Sequence, residues 1–583
     1  MQIVDLGEPC HNFQFTECVA FRDPRDGREK IATASDVTGA GVGLAIIIDP
    51  DTGRGENYTF PGDNGAFAVF NLRNEALLFG TNCRKAYILR LNLKDRVWAE
   101  PLRDKDQTYI WNFCMGSDGM VYAGAYPGCP LLRYDPERHT LENLGRASDN
   151  RDNLYSIHVR TLPNHILIAC GTATDHFAVW DIANARMRAL GRSKLGPGGL
   201  RATADIANDY LCLRRGGEME FYDPRTLAPI AQPANFAPAD PVDPLAARLS
   251  DGRQLVIRGQ EYFIRHDGHP DSPFREIPAP RPATGIMTII SDPDGNIWGS
   301  SAFGQTIFRY EPTTGAHWNS GAVCARGGEV YGMAFCHDRL FLAAYSGGDL
   351  VVYDPAKPWD QRGNVNPRTI GDLGGKLVRP AAKSVVGPDG AIWSGWYAKY
   401  GVYGGGLSRV DPASLEIKSW YDPIPEQSVL CLTADERWLY FATSGWACGL
   451  PAKVEPFYFV VWDPQGKIVW KKQYAAGVRL TSVAAAFGTV LVGVGNEIHI
   501  FDPESRRFTG AVKVGVHCYC LLPFGEGHFV AFCGKELLLV NPKTATTTKL
   551  CDLPGEDLTT ATVTPRGELY FAAGSHLYKV VKN

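Results

Sequence analysis

Two cations and four aromatic residues crowd one stretch of the chain. Arg379-Pro-Ala-Ala-Lys383 is followed by Trp396-Tyr397-Ala-Lys-Tyr400-Gly-Val-Tyr403 and three glycines, with Arg368 just upstream. A guanidinium grips a carboxylate through two parallel N–H donors. An aromatic face stacks on a flat, weakly polar ring, and a phenol can carry a proton. Together these residue types fit a ring-shaped anionic ligand, such as a sugar bearing an acidic group. The spacing matches no phosphate-binding loop, zinc-binding helix or nucleophile elbow, and the Gly404–Gly406 run opens a strand rather than a helix.

A second set of this kind lies earlier, in Tyr109, Trp111, Asn112, Tyr126, Tyr155, His158, Arg160 and Arg201; a third group, Tyr331, Tyr345, Trp446 and His517, flanks the first. Tyrosine and tryptophan are also favoured strand residues, so packing between sheets competes with binding at each position. Trp298 and Trp393, just after turns, read as core. His337, His165 and His528 read as solvated turn residues, and His158 and His517 as residues lining a channel. For hydrolysis by paired carboxylates the candidates are Asp205, Asp349 and Glu455, with no pairing visible.

Composition narrows the partners. A net charge of -4, from 59 basic and 63 acidic residues, leaves no electrostatic footprint for nucleic acid or an anionic membrane. No apolar run reaches the roughly 18 residues of a membrane helix, and MQIVDLGEPCHNF is not a signal peptide. The 15 cysteines are odd in number and scattered through apolar runs. They read as buried free thiols in a reducing, cytoplasmic setting, and the lone Cys518-x-Cys520 is a weak metal signal. No metal or cofactor is implied, and the oligomeric state is left open.

The elements that must position these residues repeat. A hydrophobic residue followed by Asp, or a substitute, and then a turn recurs at Asp49, Asn92, Asp135, Asp181, Asp223, Asp267, Glu311, Asp354, Asp411, Asp463, Asp502 and Asn541. A period near forty residues with four short β-runs per unit predicts propeller blades, here strands A to D from the axis outward. The residues from Leu558 supply three strands of a further blade, and Gln2–Gly7 (QIVDLG) supplies its fourth. The fold class is therefore all-β: tandem propellers of about thirteen four-stranded blades, six plus seven. Two Pro-rich stretches are linker candidates, 233–244 and 277–284. The division is placed at the second, giving propellers at 9–281 and at 282–583 with strand 2–7. In this topology the starts of A strands and the ends of B strands share one face, where the candidate residues gather.

The pattern Gly116-Ser117-Asp118-Gly119, Tyr126-Pro127, Leu132-Arg133-Tyr134-Asp135-Pro136 resembles repeats of bacterial carbohydrate-active β-propeller proteins. Among these, polysaccharide lyases that cleave rhamnose–glucuronate linkages are the nearest group. The resemblance implies a carbohydrate-active enzyme acting on an acidic glycan by β-elimination, with a glycoside hydrolase or a non-catalytic scaffold as alternatives. A lyase needs a base for the proton α to the carboxylate and a cation to neutralise the enolate. The expected roles are His517 or Tyr400 as base or acid and Arg379 with Lys383 as neutraliser. Arg368, Trp396, Tyr397, Tyr403, Tyr345, Tyr126, Tyr155, His158, Arg160 and Arg201 are expected to bind substrate.

Overall fold

The structure is a computed structural model that describes residues 1–36, 42–62, 65–82, 85–191, 203–207, 209–215, 218–234, 236–238, 242–381, 383–555 and 558–582. Period-two alternation between turn residues dictates strands. Among the described residues strands and turns are all that form, so no helix is long and apolar enough to cross a membrane.

The strands pair into 13 separate antiparallel sheets, most of them four consecutive strands in chain order. The fold is a pair of tandem β-propellers, with six blades and then seven. One compact unit is Phe13–Pro282; the other is Met1–Asn12 with Ala283–Asn583. Pro9–Asn12 thus belong with the seven-bladed unit. His11 bridges Ala283, and the Asn12 amide donates to the Phe303 carbonyl at 2.6 Å and to Thr306 Oγ1 at 3.0 Å.

The rings close differently. In the seven-bladed propeller Gln2–Asp5 supplies strand D of the last blade, pairing Gln2 with Val581 and Asp5 with Tyr578. The pairing is extended by Leu6 N–H to the Leu577 carbonyl at 2.8 Å and by Leu577 N–H to the Gly7 carbonyl at 2.9 Å. In the six-bladed propeller no strand crosses over among the described residues; Phe13, Phe15, Ile46 and Ile48 of the first blade bury against Leu249, Leu255 and Tyr262 of the sixth.

Each blade has its own apolar faces, but three local devices set its shape. The first is the residue before the C–D turn. The carboxylate of Asp135 accepts the N–H groups of Glu137 (2.9 Å) and Arg138 (3.0 Å), and Asp411 and Asn541 do the same for their turns. Four residues after that acceptor the chain turns left-handed. Glycine fills this place as Gly53 and Gly315, but His139, Ala185, Leu227, Leu415, Arg506 and Ala545 hold φ between 48° and 62°.

The second device sits at the A–B turn, where Asp118-Gly119 uses φ +81° at the glycine. The turn carboxylate then reaches an aromatic residue on strand B. Tyr122 Oη donates to Asp118 at 2.8 Å, Trp393 Nε1 to Asp389 at 3.0 Å and Trp298 Nε1 to Asp292 at 3.0 Å. Trp298 and Trp393 are core, 3% and 0% exposed. His337 is exposed and His528 is half-buried, both at turns as expected. His165 is instead buried on strand B, 3.9 Å from the Asp181 carboxylate, because its blade has only a tight turn there.

The third device is a bulge. Every blade of the seven-bladed propeller slips register near the start of strand A, at Val330/Gly332, Leu377/Arg379 and Cys518/Cys520 among others. The extra residue leaves the ladder and is re-aimed at the start of the strand, the end that faces the mouth.

Of the 15 cysteines, the 14 described are free, and most are buried. A small cavity between blades 8 and 9, lined by Phe341, Leu350, Ile370, Ile392 and Val410, is space within the apolar core.

Candidate functional site

The mouth of the seven-bladed propeller is built from three successive blades. Blade 8 supplies Tyr331 on strand A (Val330–Cys336) and Tyr345 just past strand B (Arg339–Ala344). Blade 9 supplies Arg379 on strand A (Leu377–Pro380), its cross-strand partner Tyr397 on strand B (Ile392–Ala398), and Tyr400 in the B–C loop. Blade 10 adds Cys448 from its own B–C loop. The blade 8 bulge releases Tyr331 from the ladder, and the blade 9 bulge falls immediately before Arg379.

Arg379 is the centre of the group. Its guanidinium carbon lies 4.2 Å from the Tyr345 ring centroid and 5.9 Å from that of Tyr331. Its Nη2 donates to Tyr400 Oη at 3.2 Å, and Tyr400 and Tyr345 share a hydrogen bond of 2.6 Å between their hydroxyls. Nε is shielded from solvent and makes no hydrogen bond. Among the described residues no carboxylate stands at ion-pair distance from this arginine; Glu329 instead accepts the Tyr331 hydroxyl at 3.4 Å.

Burial pushes the phenols of Tyr331, Tyr345 and Tyr397 above their ordinary range, and Glu329 adds to the effect on Tyr331. Arg379 works the other way on all three but does not reverse it. Burial likewise raises the Cys448 thiol, again partly offset by Arg379. The three phenols therefore stay protonated donors across neutral pH.

The remaining expected residues separate. Lys383 is not beside Arg379. Pro380 cannot donate to the ladder, strand A of blade 9 breaks into two pieces, and the lysine turns inward, its ammonium on the Ala561 carbonyl of blade 13. Desolvation there lowers its pKa. His517 is exposed, with its imidazole 3.2 Å from the Gly495 carbonyl rather than among the tyrosines. Trp396 is no platform: it is 0% exposed and donates Nε1 to Ser408 Oγ at 2.8 Å, because strand alternation turns it into the core between Tyr397 and Gly395. Arg368 begins the outer strand Arg368–Asp372, opposite Val352, and so lies on the blade's rim. Tyr403 stands nearby on the same loop as Tyr400, its hydroxyl on the Pro451 carbonyl at 2.8 Å and Lys453 over its ring at 4.2 Å.

The six-bladed propeller has its own aromatic mouth. Tyr109 stacks on Trp111 with centroids 5.2 Å apart, Phe67 lies against Trp111 at 5.5 Å, and Tyr126 meets Tyr155 at 4.6 Å. On the inner strands His158 is held to about 4 by burial and by Arg160. Glu17, accepting the Val69 N–H at 2.9 Å, is pushed up to about 7 by burial. Asn112 clamps the Val159 backbone in the next blade through both its amide atoms, at 3.0 and 3.1 Å. Arg201 lies outside the described residues.

The carboxylates considered for hydrolysis do not pair. Asp205 is taken by Arg214, Asp349 lies 3.7 Å from Arg326, and Glu455 is in another blade of the same propeller as Asp349. Glu329 and Cys448 escaped the sequence reading. Cys448 reaches the site only through the ring neighbourhood of blades 9 and 10, which no local motif records.

No family model matches this chain, and none of the curated proteins does. Among solved structures, a chain of the crystal structure of the mitotic checkpoint complex is similar at 15% identity and a TM-score of 0.38, over 51% of this chain and 87% of that one. A likeness that loose carries no argument about function.

Proposed function

We propose that the mouth of the seven-bladed propeller binds the carboxylate of a uronic-acid-containing glycan at Arg379 and acts on the glycan by β-elimination. The observation that carries the reading is a buried guanidinium with no carboxylate at ion-pair distance among the described residues and with its Nε–H lacking an acceptor. A buried cation without an ion-pair partner is costly, and an anionic ligand can supply one.

The phenols suit the second half of the reaction. Tyr400 Oη accepts from Arg379 Nη2 at 3.2 Å and shares the 2.6 Å hydrogen bond with the Tyr345 hydroxyl. A guanidinium donating to that oxygen favours its charged form. Tyr400 is thus placed to be the phenolate that removes the proton α to the carboxylate. Arg379 neutralises the enolate as it develops, the β C–O bond breaks, and the leaving oxygen takes a proton from the tyrosine pair. The product carries a C=C bond conjugated to its carboxylate.

The test is incubation of the full chain with uronate-containing polysaccharides while ultraviolet absorbance is followed. A rise that is lost in Tyr400→Phe supports the reading; intact protein that binds uronate without any rise leaves a binding mouth and removes the lyase. That second reading, recognition without turnover, is favoured by the three raised phenols, which are good donors at neutral pH and poor bases.

A further inference from the structure

Tryptophan is rarely left in water, since its large apolar surface gains most from burial. Trp446 is 62% exposed. The other tryptophan with comparable exposure, Trp318 at 39%, lies edge-on to Trp298 and Trp359 and stacks on Tyr353. Among the described residues the Trp446 indole has no ring partner of this kind.

Its place is the rim of the Arg379 mouth. Trp446 opens the B–C loop of blade 10 and stands two residues before Cys448, which borders Arg379. The loop is held at many points. Ala447 bridges Leu450, Lys453 N–H reaches the Gly445 carbonyl at 3.0 Å, and Gly401 N–H of the Tyr400 loop reaches the Cys448 carbonyl at 3.0 Å. The Tyr403 hydroxyl binds the Pro451 carbonyl at 2.8 Å, and Lys453 is 2.6 Å from Glu426. The Trp446 backbone N–H is fixed on Ser444 Oγ at 3.1 Å. An exposed ring on a braced loop offers its face without a large ordering cost on binding.

We propose that Trp446 is the stacking platform of a second sugar subsite, so that this mouth takes an oligosaccharide in which an uncharged pyranose adjoins the uronate held by Arg379. The inference rests on the uronate reading above and deepens it from a single acidic sugar to a chain. The apolar face of a pyranose suits the indole, while the adjoining Lys453 ammonium, bound once to Glu426, keeps donors for its hydroxyls.

The experiment is calorimetric titration of the full chain with glucuronic acid and with a glucuronate-containing tetrasaccharide, in wild type, Trp446→Ala, Trp446→Phe and Arg379→Gln. Trp446→Ala is expected to weaken the tetrasaccharide about tenfold and leave glucuronic acid unchanged, with Trp446→Phe intermediate. Arg379→Gln is expected to weaken both. Equal tetrasaccharide affinity in wild type and Trp446→Ala overturns the subsite while the uronate reading stands. If wild type binds neither ligand, or Arg379→Gln alters neither, the uronate reading falls and the subsite with it.

Discussion

Arg379 and Tyr345 come from adjacent blades, and the guanidinium lies over the ring with its carbon 4.2 Å from the centroid. The ring covers one face of the cation, and the planar fork remains for a ligand. Arg379→Lys keeps the charge but loses the fork and the stacking. Its affinity for glucuronate-containing oligosaccharide should fall at least tenfold, or about 1.5 kcal/mol or more, in a titration at constant salt. Unchanged affinity would remove Arg379 from the ligand.

Tyr400→Phe should separate chemistry from binding. Without the phenol oxygen, turnover measured by ultraviolet absorbance should drop by about 10² to 10⁴, while affinity changes only a few-fold. Tyr345→Phe removes a hydrogen-bond partner of Tyr400 rather than the base itself, so its loss should be smaller and should move the pH profile to higher pH.

Glu17 makes the six-bladed propeller pH-sensitive. Its carboxyl titrates near 7 in the fold against an ordinary value of 4.5, raised by burial. A raised carboxyl favours the folded state fully below the unfolded pKa, and that stability is lost as pH rises from about 4.5 through 7. Thermal unfolding should show this propeller losing at most about 3 kcal/mol across that window from this group. Glu17→Gln, whose carbonyl can still accept the Val69 N–H, should flatten the dependence; an unchanged slope would place the titration elsewhere.

The left-handed turn position offers a stabilising change. Ala185 and Ala545 are exposed and hold φ of 48° and 53°, a region that strains any residue with a Cβ. Ala185→Gly and Ala545→Gly should each raise stability by about 0.5–1 kcal/mol in chemical denaturation, after the entropy glycine adds to the unfolded chain.

Removing Gln2–Asp5 should harm one propeller only. The deletion strips strand D from the last blade and leaves His576–Val581 as an open edge. The transition of the seven-bladed unit should fall by about 2–4 kcal/mol in calorimetry, with that of the Phe13–Pro282 unit unmoved.

The blades were legible because their punctuation is chemical. Asp135, Asp411 and Asn541 stand where a side-chain oxygen must catch turn N–H groups, and Asp118-Gly119 marks a hairpin. Arg379 and Tyr400 were legible as a pair because they lie on one blade, but their partner Tyr345 joins them only across a blade boundary. Lys383 and Trp396 misled for opposite reasons. Both look like ligand groups by type, yet Pro380 breaks the strand and sends the lysine inward, and alternation along Ile392–Ala398 buries the tryptophan. A one-residue bulge is invisible to local pattern, and it decides which side chain of strand A faces the mouth.

The closing strand also sets an order of events during synthesis. Gln2–Asp5 is made long before its partner, His576–Val581. Meanwhile Phe13–Pro282, an uninterrupted segment with no borrowed strand, is free to fold as it is made. Until His576–Val581 is made, the propeller with the Arg379 mouth is an open arc with an unpaired strand at each end. The ligand site therefore becomes rigid later than the Phe13–Pro282 propeller.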